Sequence, residues 1–86
     1  MNIFFAIDNG TKLLKKNNIK NPKLDSEILM SKVINKDRKY VLMNQNERIN
    51  KKNLNRFENL INQRKCGKPI AYLIGKKDFW KYEFKI

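Results

Sequence analysis

Eighty-six residues make one small domain, which buries only about 60 % of the surface its unfolded chain exposes. That length excludes a helical domain together with a complete cofactor-binding α/β domain. The net charge of +12, from 20 Lys+Arg against 8 Asp+Glu, admits an anionic partner such as nucleic acid. The 16 Lys and 4 Arg, spread from Lys12 to Lys85, equally fit a drift toward Lys, Asn and Ile that would place lysines on every face, whereas phosphate readers tend to cluster Arg.

In chain order, Ile3, Ala6, Ile7, Gly10, Leu13 and Leu14 recur at helical spacing, which predicts a helix from about Asn2 to Lys16, broken by Asn17-Asn18. Asn21 is placed to cap a second helix with Pro22 at its first position. That helix runs to about Ile34 with Leu24, Ile28, Leu29, Lys32 and Val33 inward, and with Asp25 and Glu27 in its first turns, where the helix dipole favours acids. Asp37 can cap a brief third helix carrying Tyr40, Val41 and Leu42. A polar loop, Asn44 to Arg48, follows, and Asn50 can cap a fourth helix from about Lys51 to Lys65. Its inward stripe is Leu54, Phe57, Leu60, Ile61 and Arg64. Gly67 suits the left-handed turn that closes it.

From Pro69 to Ile74 the pattern fits both strand and helix, and Pro69 at the start with Gly75 at the end favours a short helix. After Gly75 the period becomes two. Trp80, Tyr82, Phe84 and Ile86 alternate with Lys81, Glu83 and Lys85, as in a half-buried strand paired with Lys76 to Phe79. An isolated two-stranded ribbon is barely stable in water. Either this ribbon folds back on the helices or its covering partner lies beyond Ile86.

The residue types exclude most chemistry. There is no His and one Cys, which removes the common Ser-His and Cys-His nucleophile pairs and the usual zinc ligand sets. Cys66 sits at a helix end and has no second Cys to pair with. Gly10, Gly67 and Gly75 form neither a dinucleotide-binding turn nor a phosphate loop. The eight acids read as caps and solvated charges. No catalytic, cofactor-binding or metal site is expected in these residues. No apolar run approaches the roughly 20 residues of a membrane helix, and Met1 to Leu14 lacks the basic start of a signal peptide. A cytoplasmic protein is expected.

The stretch Arg64-x-x-Gly67-x-Pro69-Ile70-Ala71-Tyr72-Leu73-Ile74-Gly75-x-x-Asp78-Phe79-Trp80 resembles the segment joining the two domains of the release-factor glutamine methyltransferases, the HemK/PrmC family. Upstream, Pro22-x-Leu24-Asp25-x-Glu27-Ile28-Leu29 is similar to that family's second helix, and Lys36-Asp37-Arg38 with Tyr40 to Leu42 stands in the place of its third. The chain departs from the family at Lys68, where Glu is common, and at Lys81-Tyr82, where the ribbon turn often carries Gly-Leu.

The resemblance implies a mainly α fold. A bundle of four to five short helices over residues 1–75 would serve substrate recognition, and residues 76–86 would begin an inter-domain β-ribbon leading to an α/β methyltransferase domain absent from this chain. Ile86 would then lie inside the ribbon. The implied function is to hold a peptide chain release factor while the catalytic domain methylates the glutamine of its Gly-Gly-Gln motif. S-adenosylmethionine would be needed by the full-length enzyme and bound by nothing here, leaving this chain alone inactive. Leu24, Asp25, Arg64, Gly67, Pro69, Tyr72, Gly75 and Phe79 carry the resemblance, each in a structural or a partner-contact role. For Arg64 the structural role is a cation on the helix dipole, and for Tyr72 a core aromatic with a polar tip. From the charge alone, a free-standing basic nucleic-acid-binding helical protein is the alternative.

Overall fold

The computed structural model describes residues 1–75, which form five helices: α1 (Ile3–Lys16), α2 (Pro22–Ile34), α3 (Arg38–Met43), α4 (Lys51–Lys65) and α5 (Ile70–Ile74). The helical expectation holds for these residues, and the short helix at Pro69 to Ile74 prevails over the strand. The expected ribbon, with Phe79, lies outside the described residues.

Local chemistry sets the starts. Asn2 accepts a hydrogen bond from the backbone N–H of Phe5, Asp37 from that of Tyr40, and Asn50 from that of Asn53, each satisfying a donor that a helix start otherwise leaves unpaired. Asn21 departs from this pattern. It occupies the cap position of α2 but its side chain makes no capping bond; Pro22 supplies the fixed φ of a first turn instead. Asn35 ends α2 with a left-handed φ of 58°, and Gly67 closes α4 at φ 102°, a conformation that glycine adopts without steric cost.

The helices share one core. Ile3, Ala6, Ile7 and Leu14 of α1 meet Leu29, Met30 and Val33 of α2, Phe57 and Ile61 of α4, Val41 of α3 and Ile74 of α5. Fully burying one such side chain is worth about 1.5–3 kcal/mol. At Gly10, α1 packs tightly on α4: an added Cβ would lie 2.8 Å from Ile61 Cδ1 and 3.1 Å from Phe57 Cζ. A cleft of about 250 Å³ adjoins this contact, lined among others by Ala6, Leu13 and Leu54.

α2 is the central helix, packed by each of the other four. That position corrects its expected inner face. Leu29 and Val33 are buried, but Leu24 is exposed and Ile28 and Lys32 are only half-buried. Asp25, Ser26, Glu27, Met30 and Ser31 are buried with them. A helix covered on most sides has no single apolar stripe to read.

The polar loop after α3 is also built in. It runs beside the start of α1: the N–H of Ile3 donates to Glu47 O at 2.9 Å, the N–H of Phe4 to Gln45 O at 2.9 Å, and the N–H of Ile49 to Met1 O at 3.1 Å. Asn2 and Arg48 form an isolated antiparallel bridge. α1 and α2 make an antiparallel hairpin, and Asp25 near the start of α2 reaches Arg64 near the end of α4. The bundle therefore has two ends. One holds the close of α4 and α5; the other holds the start of α1, the end of α3 and the 44–50 loop.

Candidate functional site

The residues singled out by sequence gather at the first of these ends. Arg64 Nε donates to Asp25 Oδ2 at 2.9 Å, and Arg64 Nη1 donates to the carbonyl of Lys68 at 2.9 Å. One guanidinium thus ties α2, α4 and the turn into α5. Asp25 and Arg64 are 9 % and 20 % exposed at their side chains. In such partial burial the forked, permanently charged guanidinium suits the task better than an ammonium. Arg64 stands in the last turn of α4, as expected of a cation at a helix end, and in addition makes this cross-bundle pair.

Gly67 and Pro69 lie within the turn that Arg64 grips. The N–H of Gly67 donates to Arg64 O at 2.9 Å, and the N–H of Lys68 to Gln63 O at 3.2 Å. Pro69 then starts α5, which Ile74 anchors in the core at 1 % exposure. Gly75 closes α5 at φ 82°. Tyr72 is 69 % exposed, against the expectation of a core aromatic. A five-residue helix has one inward side, taken here by Ile70, Leu73 and Ile74, so Tyr72 faces out, with Lys68 Nζ 5.6 Å from its ring centroid. Leu24 is likewise exposed at this end, and so is not drawn into the Asp25–Arg64 contact.

A second ion pair was not foreseen from sequence. Glu27 Oε1 accepts from Arg38 Nε at 3.0 Å, and Glu27 is 4 % exposed at its side chain. The acids of α2 are therefore not the solvated charges or caps that their positions suggested. They are buried anions, each held by an arginine from another helix, 39 and 11 residues away. A buried carboxylate without a partner would be strongly unfavourable. The signal that could have found them is the central position of α2, and spacing along one sequence does not carry it.

The other end differs in chemistry. Phe4 and Phe5 stand exposed on the first turn of α1, ring centroids 5.5 Å apart and planes at 75°. Leu42 and Met43 stand exposed at the end of α3. The Tyr40 hydroxyl donates to the Glu47 carboxylate. That bond raises the phenol above its ordinary pKa, with smaller contributions from desolvation and from the Glu47 charge.

The described residues do not fit S-adenosylmethionine. Gly10 is locked inside α1 against Phe57 and Ile61, while Gly67 and Gly75 each close a helix. No glycine-rich turn is left to let a backbone approach a nucleotide closely. What the arrangement provides is a cross-bundle contact from Arg64 to Asp25 and to the Lys68 carbonyl, beside a buried Ile74. No helix among the described residues is long and apolar enough to cross a membrane.

These features define a small module of five helices around one core. The family model described as the PrmC N-terminal domain matches residues 6–75. The chain belongs to that family, the N-terminal domains of release factor glutamine methyltransferases. It is 38 % identical over 80 residues to a release factor glutamine methyltransferase of Buchnera aphidicola subsp. Schizaphis graminum, covering 93 % of this chain and 28 % of the relative. It is 42 % identical over 65 residues to a release factor glutamine methyltransferase of Yersinia pestis, covering 76 % and 24 %. A bifunctional methyltransferase of Rickettsia conorii is 37 % identical over 78 residues, covering 91 % and 15 %. The chain thus spans less than a third of the length of these relatives. No solved structure matches it.

Proposed function

We propose that this chain is the release-factor-holding domain of an S-adenosylmethionine-dependent protein-glutamine methyltransferase. In this reading residues 1–75 grip the release factor, and residues 76–86 begin the connection to a catalytic domain that methylates the glutamine of the Gly-Gly-Gln motif. The family match over residues 6–75 carries the reading. The Arg64 latch supports it physically. A domain that presents a protein substrate to a separate active site must leave its connection at a fixed angle, because misplacement of about 1 Å can lower a rate roughly 100-fold. Arg64, Asp25 and the buried Ile74 hold the segment that ends at Gly75 against the bundle, which supports such a role. The division of labour puts orientation in the helices and the chemistry elsewhere.

Calorimetry tests both halves. Titrating S-adenosylmethionine into the chain is expected to give no binding heat, and titrating a purified peptide chain release factor is expected to give a saturable isotherm. Binding of S-adenosylmethionine contradicts the division of labour, and a flat release-factor trace contradicts the partner.

The charge of +12 favours a second reading, a nucleic-acid-binding module. It requires binding to duplex or single strands that weakens steeply with salt. Two of the four arginines, Arg38 and Arg64, are already engaged within the fold, which leaves mainly lysine for phosphates.

A further inference from the structure

Four of the seven large apolar side chains exposed among the described residues sit together at one end of the bundle: Phe4, Phe5, Leu42 and Met43. The backbone places them there. Phe4 N–H bonds to Gln45 O at 2.9 Å, and Leu42 and Met43 lie three and two residues before Gln45, which brings the end of α3 to the same end of the bundle as the start of α1. Exposure is 48 %, 55 %, 41 % and 72 % along the series. Scattered exposed apolar residues need no explanation, but a gathered set marks an interaction surface. Two aromatics and a flexible methionine are the residue types that interfaces favour.

The charges around this set select its occupant. Arg48, beside Asn2 in the bridge, and Lys51 and Lys52 on the first turn of α4 are exposed, as is Lys39 on α3. Of the nearby acids, Asp8 pairs with Lys12 at 3.0 Å, while the exposed Glu47 accepts from the Tyr40 hydroxyl, which carries no counter-charge. The four exposed cations outnumber it, so the patch is apolar with positive charge in excess around it. A second copy of this chain would bring the same cations against themselves and be repelled. Phe4 and Phe5 meet edge to face at 75° and so offer no continuous platform for successive stacked bases.

We propose that this end is a docking face for a protein that presents apolar anchor side chains within a ring of carboxylates. Resting on the reading above, that protein is the release factor. Phe4 and Phe5 are the anchors, and Arg48, Lys51 and Lys52 steer the encounter.

The test is the affinity of the 86-residue chain for a purified release factor, measured for the unaltered protein and for three variants. Phe4→Ser with Phe5→Ser is expected to lower affinity at least ten-fold while leaving the circular dichroism spectrum and the melting temperature unchanged. Lys51→Glu with Lys52→Glu is expected to slow association, with little effect on dissociation. Tyr72→Ser, at the opposite end, is expected to stay within two-fold. If the release factor binds and the double phenylalanine variant binds equally well, the face is wrong while the functional reading stands. If the unaltered chain binds no release factor, both fall. A dimer in sedimentation that the phenylalanine variant turns into monomer overturns the proposal in favour of self-association. An RNA oligonucleotide that binds tightly and loses affinity with the same variant overturns it in favour of nucleic acid.

Discussion

The two ends of this bundle handle polar and apolar groups in opposite ways. Around α5, a carboxylate and a guanidinium are taken out of water and satisfied within the fold, and Ile74 is driven into the core. At the start of α1, two phenylalanines are left in water and cations stand free beside them. The latched end thus satisfies its buried charges within the fold, while the other end leaves apolar surface in contact with water. A domain serving as a presenter needs both, because its exit must be rigid and its gripping face must stay unsatisfied until a partner arrives.

The comparison breaks most visibly at Arg64. Arg64→Ala leaves Asp25 buried without its counter-charge and frees the Lys68 carbonyl. The expected loss is about 3–5 kcal/mol in urea unfolding, a large share of the roughly 5–15 kcal/mol that holds a typical domain together. Arg64→Lys is expected to recover only part of it, since an ammonium cannot reproduce the fork. A loss below about 1 kcal/mol for Arg64→Ala would remove the latch from the account.

Gly10→Val probes the contact that joins the two ends through α1 and α4. Its side chain would meet Ile61 and Phe57, and overpacking of this kind costs about 1–3 kcal/mol. The expected melting temperature falls accordingly, whereas Gly10→Ala is expected to lie closer to neutral because the adjoining cleft lets Ile61 shift and alanine favours the helix.

A smaller change of opposite sign is expected at Ser26. Its hydroxyl is buried and has no hydrogen-bond partner. Ser26→Ala removes an unsatisfied polar group and is expected to raise stability by about 1 kcal/mol in the same unfolding assay. Destabilisation would mean that the hydroxyl is satisfied after all.

The smallest effect sits at the open end. The raised pKa of Tyr40 means that the fold favours the neutral phenol. Its contribution is present below the ordinary tyrosine value of about 10 and is lost as pH rises through the raised value. Tyr40→Phe is expected to lower stability slightly near neutral pH, where the bond to Glu47 contributes, and to flatten the alkaline loss, as read from melting curves between pH 7 and 11.

How much of this was legible depended on the geometry of each helix. α1 and α4 touch the core along one stripe, so Ile3, Ala6, Ile7, Phe57 and Ile61 could be picked out by their spacing. The caps at Asp37 and Asn50 were equally plain, because a cap is a local contact three residues long. α2 was misread because four neighbours cover it, and burial then no longer follows a single stripe. The pairs Asp25–Arg64 and Glu27–Arg38 were invisible for a related reason: they join elements that become neighbours only after folding. The motif around Arg64 and Gly67 pointed to the right corner of the molecule without revealing what the arginine grips. Phe4 and Phe5 lay off the predicted stripe of α1, yet nothing in one sequence brings Leu42 and Met43 to their side.

One measurement bears on the central claim most directly. The ¹⁵N-labelled chain would be titrated with unlabelled release factor while its amide signals are followed. Shifts or broadening are expected to concentrate at Phe4, Phe5 and residues 42–52, with residues 64–75 little changed. Perturbation confined to residues 64–75, with the start of α1 silent, would contradict it.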